Sequence, residues 1–168
     1  MLHFAYSFTD GQYEEYSLNN TSSLPVQTCA GGQAETGEIV DLSCMPFLYT
    51  PENQYSVTAV FDVFQSPVLG NLTTSLTWAW TDETYTSATT LPEDEPGAWL
   101  DDRGLLNGSI NWENIFNSRF HLQIFGTNLM DKEYIMGNQN VWSTLGYRTV
   151  TYGEPRMYGV KLSFQWDA

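Results

Sequence analysis

The chain has 168 residues and a formal net charge of -14, from 6 Lys and Arg against 20 Asp and Glu. That length suits one domain, and so few cations, with no basic patch between aromatics, exclude nucleic acid as a partner. Charged residues make up only 15%, hydrophobic residues 42% and aromatics 15%, which is low in charge for a soluble domain and suits either the girdles of a membrane barrel or a carbohydrate-binding sandwich.

No run approaches the roughly 18 apolar residues of a spanning helix, which says nothing about spanning strands. The start, Met1 to Tyr6, has neither the basic region nor the long apolar core of a signal peptide. It already reads as a strand, so the chain is expected to be a fragment whose targeting signal lies upstream. Leu2 to Thr9 alternates, with Leu2, Phe4, Tyr6 and Phe8 on one side. The strand is expected to resume from Tyr13 to Tyr16 after a break at Asp10-Gly11.

Residues 17–54 read as a long polar loop, a length that is usually functional or disordered. It holds both cysteines, Cys29 and Cys44. In an oxidising compartment they are expected to pair; two free thiols are the alternative. Tyr55 to Phe64 is the next strand, with Tyr55, Val57, Ala59, Phe61 and Val63 on one face and Phe64 on the other. After a short turn at Pro67 and Gly70, a longer strand runs from Leu72 to Thr86, with Leu76, Trp78 and Trp80 together. A second long loop, 88–102, carries Glu93, Asp94, Glu95, Asp101 and Asp102. It lacks the calcium-loop pattern and reads as a solvated acidic loop.

Leu105 to Trp112 and Arg119 to Asn128 form two strands about a short turn. A third long loop, 130–155, precedes the last strand, Arg156 to Trp166. There Tyr158, Val160, Leu162, Phe164 and Trp166 face one way, against Met157, Gly159, Lys161, Ser163 and Gln165. The expected fold is all-β: an antiparallel meander of about six strands. Its loops alternate long, short, long, short, long, as outer-membrane barrels sort long exterior loops from short periplasmic turns.

Site chemistry is sparse. His3 and His121 fall on polar faces, with no second ligand at metal spacing. There is no Gly-x-Ser-x-Gly or His-Glu-x-x-His motif, and no particular carboxylate pair is singled out for glycoside hydrolysis. No enzyme activity, cofactor or metal is expected. Trp78, Trp80 and Trp112 read as lipid-contacting or interfacial residues, with a sugar platform as the alternative.

Two further stretches carry a resemblance. Asn128-Leu-Met-Asp-Lys-Glu-Tyr134 resembles a signature near the C-terminus of TonB-dependent outer-membrane receptors, and Pro155-Arg-Met-Tyr-Gly159 is similar to that family's entry to the last strand. The Tyr49-Thr-Pro-Glu52 stretch resembles the proline-led strand starts of the same receptors. Gly159, Leu162, Phe164 and Trp166 are spaced like the C-terminal outer-membrane assembly signal. Met130 and Trp166 depart from the more usual residues, and Asp167-Ala168 extend past the terminal aromatic.

The resemblance implies that residues 1–168 are the C-terminal portion of a transmembrane β-barrel, without the plug domain and earlier strands. It implies an active-transport receptor in the bacterial outer membrane that takes up a scarce ligand such as an iron-siderophore complex, a cobalamin or an oligosaccharide. Its partners would be outer-membrane lipid and lipopolysaccharide, the barrel-assembly machinery, and TonB through a plug absent from this chain. The long loops would contact ligand. The alternative is a soluble extracytoplasmic β-sandwich that binds carbohydrate.

Overall fold

Strict alternation drives the architecture, because a strand with one apolar side pairs with neighbours that share its sidedness. The computed structural model describes residues 1–21, 23, 26–87, 97–140 and 145–166. In chain order the strands are β1 (Leu2–Phe8), β2 (Ser17–Asn19), β3 (Val26–Gln27), β4 (Gln33–Ala34), β5 (Ile39–Asp41), β6 (Asn53–Ser66) and β7 (Gly70–Thr81). They continue as β8 (Thr84–Tyr85), β9 (Trp99–Leu100), β10 (Arg103–Glu113), β11 (Phe120–Thr127), β12 (Ile135–Asn140), β13 (Arg148–Tyr152) and β14 (Met157–Phe164). A single 3-10 turn, Ile115–Asn117, separates β10 from β11.

The protein is all-β, built on one six-stranded antiparallel sheet in the order β1-β6-β7-β10-β11-β14. The sheet is open, with β1 and β14 as its edges. The six strands predicted from the sequence are therefore present as an antiparallel meander. Paired segments β2-β5, β3-β4, β8-β9 and β12-β13 lie in the three long connections. The two short connections, at Pro67 to Leu69 and Asn114 to Arg119, share the opposite end.

Register places the six apolar faces on one side. Leu2, Phe4 and Tyr6 lie opposite Ala59, Val57 and Tyr55. Those three lie opposite Leu76, Trp78 and Trp80. Leu106, Ile110 and Trp112 lie opposite Trp78, Thr74 and Leu72. Ile110 and Trp112 then meet Ile124 and Leu122, which meet Val160 and Leu162. No charged residue occupies this face between its end bands. Its one aliphatic hydroxyl, Thr74, donates to the Ser109 carbonyl at 3.0 Å, so that donor is met.

The reverse face is polar and bonded across strands. Thr58 and Thr77 hydroxyls are 2.9 Å apart, as are those of Ser75 and Ser109. His3 and His121 lie here, opposite Thr58 and Ser163.

Several expectations are corrected. Residues 13–16 form no strand; Tyr13 instead stacks on Tyr16 and packs edge-on to Phe47. A bulge between Asp62 and Phe64 shifts the register by one residue. Phe64 therefore joins the apolar face opposite Leu72, where it packs edge-on to Trp112. The strand expected over Leu72 to Thr86 ends at Thr81, and Thr84-Tyr85 becomes a separate buried piece. The loop over 17–54 is structured by β2 to β5.

The buried core lies off the sheet. Val26, Ala34, Val40, Leu42 and Met45 of the first connection pack with Tyr85 and Ala98 of the second. The sheet's apolar face stays open, with Val160 70% and Leu162 66% exposed.

Candidate functional site

The three long connections join into a cap above one end of the sheet. A bridge of Leu48 to Tyr85 links the first to the second. The Tyr49 hydroxyl donates to the Asn138 carbonyl, and the Asn138 amide donates to the Gly97 carbonyl, at 3.0 and 2.9 Å. The third connection is thereby tied to the other two.

Within the first connection, Cys29 and Cys44 are joined by a disulfide with their Cα atoms 5.6 Å apart. The Asp41 carboxylate accepts the Ser43 N–H at 3.0 Å, one residue before Cys44. That backbone bond, with the Ser43 side chain, holds the Asp41 carboxyl below its ordinary range. Nearby, burial and the Tyr13 phenol push the Tyr16 hydroxyl up.

The two stretches that carry the receptor resemblance meet in space. Asn128 is 3% exposed and adopts a left-handed φ of 48°, a conformation that Asn tolerates better than most residues. Its side-chain amide donates to the carbonyls of Lys132 and Glu154, at 2.9 and 3.1 Å. Its side-chain oxygen accepts the Lys132 N–H at 2.9 Å. The Asp131 carboxylate accepts the Arg156 backbone N–H at 3.2 Å and pairs with its guanidinium at 3.3 Å. The Tyr134 ring covers Gly153 so closely that a Cβ there would lie 2.0 Å from it, and the Arg103 guanidinium sits 5.6 Å above the same ring. Asn128, Asp131 and Tyr134 thus clamp Gly153, Glu154 and Arg156, and fix where β14 re-enters the sheet. The sequence contains every member of this clamp but not their pairing.

Gly159 faces away from Leu162 and Phe164, lies opposite Phe125, and would place a Cβ 2.2 Å from that ring. Leu162 and Phe164 are on the apolar face opposite Leu122 and Phe120. Trp166 follows, edge-on to Phe164 with ring centroids 4.9 Å apart. The four residues of the assembly-type pattern are therefore split between the two faces.

Aromatics gather in two bands on the apolar face. At the turn end, Phe64, Trp112 and Phe116 make one run of ring contacts, and Phe120, Phe164 and Trp166 make a second. At the cap end, Tyr55 stacks on Trp80 at 5.3 Å. The polar edges of these rings turn to strand ends: Trp112 donates to the Leu69 carbonyl at 2.8 Å, and Trp80 to the Asp102 carboxylate at 3.1 Å. Trp78 and Trp112 lie on the apolar face opposite Leu106 and Leu72, and Trp80 lies there opposite Gly104.

Two clefts flank Trp99 in the cap. One, of about 420 Å³, lies between the second and third connections and is lined by Tyr134, Tyr152, Lys132 and Arg148 among others. The other, of about 250 Å³, lies between the first and second. Of the acidic stretch, Glu93, Asp94 and Glu95 lie outside the described residues, as do Asp167 and Ala168. Among the described residues no three His, Cys, Asp or Glu side chains converge as metal ligands.

Comparison with protein-family models, curated proteins and solved structures finds no match.

Proposed function

We propose that this chain forms part of the wall of a transmembrane β-barrel in the bacterial outer membrane, in a TonB-dependent receptor that takes up a scarce ligand such as an iron-siderophore complex. The carrying observation is the charge-free apolar face, continuous over six antiparallel strands and bounded at both ends by aromatics. Leu72 and Trp80 in the two bands are about 26 Å apart along β7 at ~3.3 Å per residue. A strand tilt of about 35–45° projects that span to roughly 20 Å, somewhat less than the ~25 Å height of a barrel's apolar band.

Energetics favour a lipid neighbour. Leu2, Phe4, Phe8, Phe61, Leu76, Ile110, Ile124, Val160 and Leu162 are all exposed. Full burial of such a side chain is worth roughly 1.5–3 kcal/mol, so leaving each about half in water costs on the order of 1 kcal/mol. Summed over these residues, that rivals the whole stability of a domain, about 5–15 kcal/mol. A soluble sandwich would cover the face with a second sheet, yet the described two-stranded pieces all lie in the long connections.

The unpaired edges of β1 and β14 call for further strands to close the barrel, since lipid satisfies no backbone donor. The clamp between Asn128-Asp131-Tyr134 and Gly153-Arg156 supports the receptor reading, because both halves fall on the stretches that resemble the family. In this role the strands are wall, the polar face lines a plugged lumen, and the cap meets ligand at the cell exterior.

The test is fractionation. The native protein is expected in the outer-membrane pellet, released by detergent but not by high salt. Ligand accumulation should cease when a protonophore collapses the inner-membrane gradient, while surface binding persists. A stable monomer in plain buffer would overturn the proposal.

A further inference from the structure

The first two long connections are electrically one-sided. Residues 9–52 and 82–102 contain seven carboxylates each and no Lys, Arg or His. Their shared cleft of about 250 Å³ is lined by the aromatic residues Phe47, Tyr85 and Trp99. Around them stand the carboxylates of Asp10, Glu52, Asp82 and Glu83, and no cationic side chain lines this cleft among the described residues.

The aromatic walls are held in place. Tyr85 is 1% exposed and its ring lies 5.2 Å from that of Trp99. Phe47 is braced by the Tyr13 ring at 4.5 Å. Trp99 remains 37% exposed, so part of its ring is open to a ligand. Asp82 is oriented by the Asn53 amide at 3.1 Å and the Glu83 N–H at 3.0 Å.

This chemistry selects a charge type. An anion would meet an unbalanced negative field. A bare metal ion would find no converging set of ligands among the described residues. A soft organic cation gains from both features, because ring faces attract it and carboxylates add long-range field. We propose that this cleft binds an organic ammonium group on a small apolar frame. The assignment rests on the reading of the long-loop end as ligand-facing, and names the ligand's charge there. An iron-siderophore complex would enter by an ammonium arm rather than by an anionic face.

The test uses the full chain in detergent micelles, with choline as probe and its neutral isostere 3,3-dimethylbutan-1-ol as control, read by tryptophan fluorescence and ligand NMR. Choline should bind saturably, the isostere roughly tenfold more weakly or worse, and added salt should weaken choline alone. The double variant E52Q/E83Q should lose about tenfold in choline affinity and little for the isostere. W99L should weaken choline with unchanged far-ultraviolet circular dichroism and unchanged heat-modifiability on a gel, which covers the case of a misfolded double variant. Equal binding of probe and isostere, no saturable choline binding, or unchanged affinity in both variants overturns the proposal. Those failures leave the detergent requirement intact, whereas a buffer-soluble chain that still binds choline sinks the barrel reading alone.

Discussion

Asn128 satisfies three backbone groups from one buried side chain, in a conformation that alanine resists. Asn128→Ala is therefore expected to cost about 2–4 kcal/mol, from unmet carbonyls and the left-handed φ together. Asn128→Gly relieves the φ but not the carbonyls, so it should fall between wild type and alanine in a denaturant titration. Asp131→Asn is a contrasting case. The Asp131–Arg156 pair is about half exposed, and its loss should cost no more than ~1 kcal/mol. Gly159 separates two roles. If its importance is packing, Gly159→Val should lower the folded, heat-modifiable fraction on a gel, and Phe125→Ala in the same chain should restore it. Failure of the second change to rescue would point to recognition of the glycine itself.

At the scale of elements, the cap and the sheet are separate stabilising units, since the buried core lies wholly in the first two connections. The disulfide closes a loop with a sequence separation of 15, for which chain entropy gives roughly 3 kcal/mol. The double variant C29S/C44S should accelerate hydrogen exchange in β2 to β5, while β7 and β10 keep their protection. Uniform loss across the sheet would show that the cap and strands unfold together. The same division explains what could be read in advance. The six sheet strands were legible because each has enough residues to repeat the alternation, as Leu2 to Phe8 and Tyr158 to Phe164 do. The cap strands were not, because two- or three-residue pieces such as Val26–Gln27 cannot show a period. The bulge at Val63 also escaped, since Phe61, Val63 and Phe64 are all apolar and fit either phase. Tyr85, near the end of the strand expected over Leu72 to Thr86, is buried by packing between two connections that no local pattern relates. The aromatic-acidic cleft went unseen for the same reason: Asp10, Phe47, Glu83 and Trp99 come from distant parts of the chain.

For the whole molecule the decisive quantity is which face meets hydrocarbon. The two faces differ by one residue step, so neighbouring positions on one strand make a matched pair with the same depth and backbone. Val160 and Lys161 on β14 align by register with Ile124 and Gln123 on β11, and Trp78 and Thr77 on β7 make a third pair nearer the cap. Cys29 and Cys44 are already paired with each other, so a single introduced cysteine is the only free thiol among the cysteines of the chain. Each position would carry a fluorophore in the receptor assembled in bilayers, with a brominated lipid chain as quencher. Quenching should be strong at positions 160, 124 and 78 and weak at 161, 123 and 77. It should be strongest with bromine at mid-chain for 160 and 124, and nearer the headgroup for 78, which lies beside the cap-end band. A water-soluble quencher should give the reverse order only as far as the plugged lumen admits it, so the lipid measurement carries the weight. Equal quenching within each pair would mean the sheet lies on the surface or outside the bilayer. Preferential quenching at 161, 123 and 77 would turn the wall inside out, and a lumen lined by Val160, Leu162 and Phe164 could not serve a polar ligand path.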